Sequence, residues 1–124
     1  MTHPLPLAPG PAARPLRRRA RRTARPRREC GPSVELVREG ASLVDVRERA
    51  EWRSGHAPQA VHVPLADLEN GARRLPRDRP VVVMCASGMR SRSGAKHLRS
   101  LGFDATSLSG GIGAWQRAGG AVRR

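Results

Sequence analysis

The chain has 124 residues, of which 38% are hydrophobic, and carries a formal net charge of +14. That length allows one compact domain and a tail, and the low apolar share means that part of the chain cannot build a core. Two cysteines exclude a disulfide framework, and no run of residues reaches the ~20 apolar side chains of a membrane span.

The charge is unevenly spread. Residues 1–29 hold nine arginines against Glu29, giving +8, while the remaining fifteen Lys and Arg face nine acids, giving +6. Pro4, Pro6, Pro9, Pro11, Pro15 and Pro26 break any helix in this segment, and large apolar side chains are scarce beyond Leu5, Leu7 and Leu16. Like charge with proline and few aromatics stays solvated, so residues 1–29 are expected to be a disordered tail and residues 30–124 the folded domain. Lys96 is the one lysine among 24 basic residues, a bias expected of a GC-rich, bacterial coding sequence. The chain start lacks the apolar segment of a secretory signal, and the arginine and proline after Arg17–Arg22 disfavour twin-arginine export. A reduced, cytoplasmic setting is expected, with an organelle transit peptide as the second reading.

The domain alternates short apolar runs with amphipathic segments. Ser33 predicts the cap of a short helix that turns Val34 and Val37 inward and ends at Gly40. Leu43–Val46 reads as a strand, Glu48–Ser54 as a helix stopped by Gly55, and Ala60–Val63 as a strand ended by Pro64. Leu65–Arg74 places Leu65, Leu68 and Ala72 on one helical face. Val81–Met84, with three consecutive β-branched residues, is the clearest buried strand. A helix over about Ser91–Leu101 turns Ala95, Leu98 and Leu101 to the core, with Gly102 at its C-terminal cap, before a strand at Ala105–Leu108 and a helix at Ile112–Ala118. Strands of four or five residues separated by helices require crossovers, and so predict an α/β domain. Its sheet should be mainly parallel, of four to five strands, with helices on both faces.

In such sheets ligands collect where strand C-termini meet helix N-termini. The strand Val81–Met84 runs directly into Cys85-Ala86-Ser87-Gly88-Met89-Arg90, and a helix follows. A tight loop of this kind turns successive backbone N–H groups inward, Gly88 supplies the backbone freedom, and the helix dipole adds positive charge. A thiol held there should have a lowered pKa, because its thiolate is the anion being stabilised. Arg90 is placed either to reinforce the effect or to meet an anionic substrate. The same cradle suits a persulfide, and moving sulfur between nucleophiles needs no metal or other cofactor. The plainer reading of Cys85, a small apolar residue closing a buried strand, is outweighed by the loop and helix after it.

These residues carry a resemblance. Leu43-Val44-Asp45-Val46-Arg47-Glu48, Gly55-His56-Ala57-Pro58, Val63-Pro64-Leu65, the Cys85–Arg90 loop and Gly110-Gly111-Ile112-Gly113-Ala114-Trp115 stand in the order and spacing of single-domain rhodaneses. Over residues 33–122 the chain resembles that family. The resemblance implies a rhodanese-like fold and a sulfurtransferase of the thiosulfate sulfurtransferase class. Cys85 would be the persulfide-bearing catalytic residue, and the backbone of Ala86, Ser87, Gly88, Met89 and Arg90 would contact substrate. Asp45 and Arg47 look like the strand-end pair near the pocket wall, with a structural role as a buried or half-buried ion pair.

Related phosphatases and arsenate reductases place five residues between cysteine and arginine. Here there are four, a loop too tight for a phosphoryl group but sufficient for one sulfur atom. Gln59 replaces the glycine usual after His-x-Pro, Ala86 stands where some thiosulfate-preferring relatives carry a basic side chain, and Glu51 stands where certain two-domain relatives place a substrate-binding arginine. The last two departures argue against efficient use of thiosulfate.

The other polar candidates have plainer readings. His56 is expected to hydrogen-bond within its turn, His62 to face away from the core or into a helix layer, and His97 to lie on the exposed side of its helix. Two cysteines without tight His/Cys spacing exclude a zinc site, and Trp52 and Trp115 read as packing residues. Cys30 is a bystander ahead of a resolving thiol. Arg92, Lys96 and Arg99 form a solvated face ahead of a docking surface.

The expected partners are a small sulfur-containing anionic donor and a protein or small-thiol acceptor. Nucleic-acid binding through the arginine tail is a lesser expectation, and no membrane partner is expected. The alternative to an enzyme is a sulfur carrier or protein-binding module without turnover.

Overall fold

The computed structural model describes residues 30–124. The arginine-rich segment 1–29, with the nucleic-acid contact expected of it, lies outside the described residues, as does the side chain of Cys30. The elements in chain order are α1 (Cys30–Arg38), β1 (Ser42–Asp45), α2 (Arg49–Ser54), β2 (Val61–His62), α3 (Leu68–Gly71), β3 (Val81–Met84), α4 (Met89–Ser100), β4 (Ala105–Ser107) and α5 (Gly111–Arg117). The strands form one parallel, four-stranded sheet in the order β2-β1-β3-β4. From β1 the chain steps outward to β2 and then returns to β3 on the other side. The direction of winding therefore changes between β1 and β3, and the segments leaving their C-terminal ends run to opposite sides, which is where such sheets form a crevice.

Both faces of the sheet are covered, because β3 alternates its side chains between two apolar layers. Val81, Val83 and Cys85 face a layer built with Leu68, Ala72, Ala95, Leu98 and Phe103, contributed by α3 and the turn after it and by α4 and the turn after it. Val82 and Met84 face the opposite layer, with Val34 of α1, Leu108 and Trp115 of α5. Every residue of β3 is fully buried, so burial of each valine offsets about 1.5–3 kcal/mol of ordering cost. The alternation decides which face the thiol takes: residue 85 shares the side of Val81 and Val83 and points at the start of α4.

Three elements differ from the sequence-based expectation. The first helix begins at Cys30, so Ser33 is a buried residue inside α1 and not its cap. Pro32 in the first turn permits this, since its missing N–H has no intrahelical partner there. Residues 65–74 form not one helix but α3 between two 3-10 turns, Leu65–Asp67 and Ala72–Arg74. Asn70 and Gly71 are weak helix formers, and Gly71 lies so close to Val63 that a Cβ there would overlap its methyl groups. Leu68 and Ala72 nonetheless both reach the core. The active-loop helix starts two residues earlier than expected, at Met89. Gly88, at φ 116°, turns the chain straight from the loop into α4.

Candidate active site

Cys85 stands at the C-terminal end of β3 and contributes no exposed surface. Its Sγ accepts hydrogen bonds from the backbone N–H of Gly88 at 3.0 Å and of Ser91 at 3.3 Å. Both donors belong to the turn from loop to helix, where first-turn N–H groups have no carbonyl partner within the helix. The sulfur occupies the place of the missing acceptors. Burial pushes the Cys85 thiol up, and hydrogen bonds from the Ser91 side chain and from the backbone of Ser91, Gly88 and Ser87 outweigh it, leaving the thiol below its ordinary value.

Ser91 is a site residue that the sequence reading passed over, treating it only as a helix start. Its hydroxyl is fully buried, 3.1 Å from the Gly88 carbonyl and 2.6 Å from Ser107 Oγ. One hydroxyl has one hydrogen to donate. When Ser107 donates to Ser91, the Ser91 hydrogen is left for either the Gly88 carbonyl or the sulfur. A serine one turn into a helix that follows a cysteine loop is the signal that would have marked it.

A second glycine turn supports the loop from below. The Ile112 N–H donates to the Cys85 carbonyl at 2.9 Å. Gly111, at φ 63°, lies so near the Cys85 and Ala86 carbonyls that a Cβ would overlap them. The Gly110-Gly111 pair thus lets β4 and α5 close under the loop. On the solvent side, Ala86, Ser87 and Met89 are exposed, Met89 at 70%, and form the outer rim of the loop.

Arg90 does not turn to the sulfur. Its guanidinium takes both oxygens of Glu51, Nη1 to Oε1 at 2.8 Å and Nη2 to Oε2 at 2.9 Å. The hydrogen-bonded Arg90 guanidinium brings the Glu51 carboxyl down from an ordinary 4.5 to about 2, and Arg90 is raised in turn. Glu51 also accepts from the Glu48 N–H at 2.9 Å, so one carboxylate both caps α2 and holds the loop arginine.

Asp45 and Arg47 sit behind this pair. Arg47 donates from Nε to Asp45 Oδ1 at 2.9 Å and from Nη2 to Oδ2 at 2.7 Å, with both side chains at least 95% buried. Its remaining donors reach the Gly55 carbonyl at 2.8 Å and the Glu51 carbonyl at 3.3 Å. The ion pair is therefore a bracket. It ties the last turn of α2 to the end of β1 and so sets where Glu51 stands.

His56 and His62 gather on α2 and not at the sulfur. The His56 ring stacks on Trp52 at 3.7 Å between centroids and pairs through Nδ1 with the Trp52 carbonyl at 2.8 Å. His62 stacks on Trp52 at 4.7 Å, and its Nε2 lies 2.8 Å from the Arg47 carbonyl. Trp115 is core, 2% exposed. His97 is half-exposed beside Glu69. No helix among the described residues is long and apolar enough to cross a membrane.

A buried cysteine stands at the end of a central parallel strand, and the N–H groups of a short loop and the following helix are arranged to hold its thiolate. The family model for the rhodanese-like domain matches residues 33–118, and the chain belongs to that family. It is 40% identical over 74 residues, 60% of this chain and 72% of the other, to the Bacillus subtilis (strain 168) protein named "Putative sulfurtransferase YtwF". The rhodanese-like domain of the Anabaena sp. Alr3790 protein superposes with a TM-score of 0.64 at 31% identity, covering 68% of this chain and all of that one. Reduced Bacillus anthracis CoADR-RHD superposes with a TM-score of 0.65 at 25% identity over 73% of this chain. The chain spans only 16% of that larger protein.

Proposed function

We propose that this protein is a sulfurtransferase that carries sulfane sulfur as a persulfide on Cys85. The observation that supports this reading above all is the pair of backbone N–H groups, of Gly88 and Ser91, directed at Sγ. They stabilise a thiolate before reaction and a thiolate leaving group after it. In the first step the Cys85 thiolate attacks the outer sulfur of a donor. A Cys85 S–S bond forms, the donor's own bond to that sulfur breaks, and the donor leaves with the electron pair as sulfite or a thiolate. In the second step a nucleophilic acceptor attacks the terminal sulfur, and the Cys85 thiolate departs with the bonding electrons.

The loop backbone from Ala86 to Arg90 would contact the transferred sulfur. Because Sγ is buried, the residues around it have to yield for a donor to reach it. Arg90 is already engaged by Glu51, which disfavours small dianionic donors such as thiosulfate relative to organic or protein persulfides. The same engagement supports the second reading, a sulfur carrier that passes its cargo to a protein partner without turning over small acceptors.

Incubation with thiosulfate, with 3-mercaptopyruvate and with a cysteine persulfide donor, followed by intact mass measurement, tests the proposal. Addition of one sulfur atom to the wild type and none to Cys85→Ser is expected, and absence of an adduct with every donor refutes it. Release of that sulfur to cyanide or a small thiol marks the enzyme. Release only to a protein acceptor marks the carrier.

A further inference from the structure

On the outer edge of the sheet, away from the Glu51–Arg90 pair, a cavity of about 260 Å³ lies between α4 and β4. One wall is a single face of α4, made of Arg92, Ala95 and Arg99 at helical spacing. The other wall consists of Thr106 and Ser107 of β4 and Ser109 in the turn beyond it. Ala95, only 1% exposed, is part of the packed core. Every polar side chain lining this cavity is a guanidinium or a hydroxyl, and no carboxylate lines it.

The two arginines differ in how they are held. Arg99 donates from Nη1 to the Ala105 carbonyl at 3.0 Å, which anchors its guanidinium against the strand edge and leaves its other N–H groups for a ligand. Arg92 is exposed, and neither arginine is paired with a carboxylate among the described residues. Two unneutralised guanidinium groups over a row of hydroxyls make a donor-rich surface suited to oxygen anions. The spacing adds a constraint on the ligand. Seven helical residues correspond to a rise of about 10 Å, so the two cations meet most naturally on a molecule with acidic groups at both ends. The cavity lies just under the size usual for drug-sized ligands, which sets the scale as a small organic molecule.

We propose that this cavity is a binding site for a small organic polyanion, carrying phosphate or carboxylate groups at two ends, with Arg92 and Arg99 as its anchors. The site goes beyond sulfur transfer and does not depend on it. Its one link to the thiol is Ser107, whose hydroxyl meets that of Ser91.

The test is a titration of the full chain, ¹⁵N-labelled, with 3-phosphoglycerate at constant ionic strength, against butyrate as a singly charged control. Residue-resolved shifts separate the cavity from the arginine-rich segment and from the active loop. Saturable shifts centred on Arg99, Thr106, Ser107 and Ser109 are expected, absent with butyrate. Arg92→Gln and, separately, Arg99→Gln should each weaken binding about tenfold, the loss of one charge-assisted contact. Arg92→Gln changes an exposed side chain and keeps the fold, so failure to fold in the Arg99 variant leaves the test intact. Shifts centred on Gly88 and Ser91, equal shifts with butyrate, or affinity unchanged in Arg92→Gln would each overturn the proposal.

Discussion

Glu51 and Arg90, 39 residues apart in the chain, meet in a two-point ion pair across the mouth of the sulfur site. The carboxylate comes from α2 after β1 and the guanidinium from the loop after β3, so the pair closes the crevice between the two central strands. Its consequence is electrostatic. The loop's own cation is paired before any substrate arrives, and the thiolate is stabilised by hydrogen bonds from the Ser91 hydroxyl and from the backbone N–H groups of Ser91, Gly88 and Ser87.

Replacing Glu51 by Gln should release that cation. The KM for thiosulfate is expected to fall about threefold or more, the effect of one partly screened charge, while a persulfide donor with its single sulfur charge gains less. Steady-state kinetics with both donors checks this.

The same pair carries a pH signature. The Glu51 carboxyl is lower in the folded chain, about 2, than its ordinary 4.5. Its stabilising contribution is therefore complete above pH 4.5 and is lost as the pH falls toward 2. Both side chains are about one third exposed, so the contribution is screened to no more than about 1 kcal/mol. Urea unfolding of wild type and Glu51→Gln should differ by that amount at pH 7, and the two should converge only as the pH approaches 2.

The Cys85 thiol should ionise below its ordinary value of 9.0. The rate of alkylation by iodoacetamide, followed against pH, is expected to have its midpoint on the acid side of that value, and Ser91→Ala should shift the midpoint upward. Because Sγ is fully buried, a bulky maleimide should react more slowly than iodoacetamide relative to a free thiol. Equal midpoints in wild type and Ser91→Ala would remove the serine from the account.

Asp45 and Arg47 form a bracket whose halves cannot be removed singly without cost. Asp45→Ala strands a guanidinium at 5% exposure and should destabilise the domain by about 3–5 kcal/mol in denaturant unfolding. Activity should fall in parallel, since Arg47 holds the Glu51 and Gly55 carbonyls.

Gly111→Ala tests the support beneath the loop. A methyl group there overlaps the Cys85 and Ala86 carbonyls at a positive φ, so a loss of order 1–3 kcal/mol is expected, with slower persulfide formation. Gly94→Ala is a graded control, since its methyl meets Val83 at 3.2 Å with ordinary helical backbone and should cost less.

The sequence by itself determined the alternation of buried strands and helices, the position of Cys85 at the end of the most apolar strand, and the need for glycine at residue 88. These follow from local rules. Side-chain periodicity decides which residues face a core, and backbone sterics decide where glycine is required. The three misjudged helix bounds, at Ser33, Leu65–Arg74 and Ser91, are local too. There the competing influences were a proline in a first turn, a close approach of Gly71 to Val63, and a positive φ at Gly88.

Only the tertiary structure decided what the sulfur's neighbours do. Arg90 was legible as a cation beside the thiol, but its engagement by Glu51 follows from α2 and the active loop flanking one crevice. Ser91 was visible as a residue, but its bond to Ser107 depends on α4 lying over β4. Gly111 stood in a recognisable motif, yet its necessity comes from carbonyls more than twenty residues earlier in the chain. Strand order and register create these contacts. A linear pattern of apolar and polar residues specifies that a sheet forms, but not which side chains its crossovers bring within hydrogen-bonding distance.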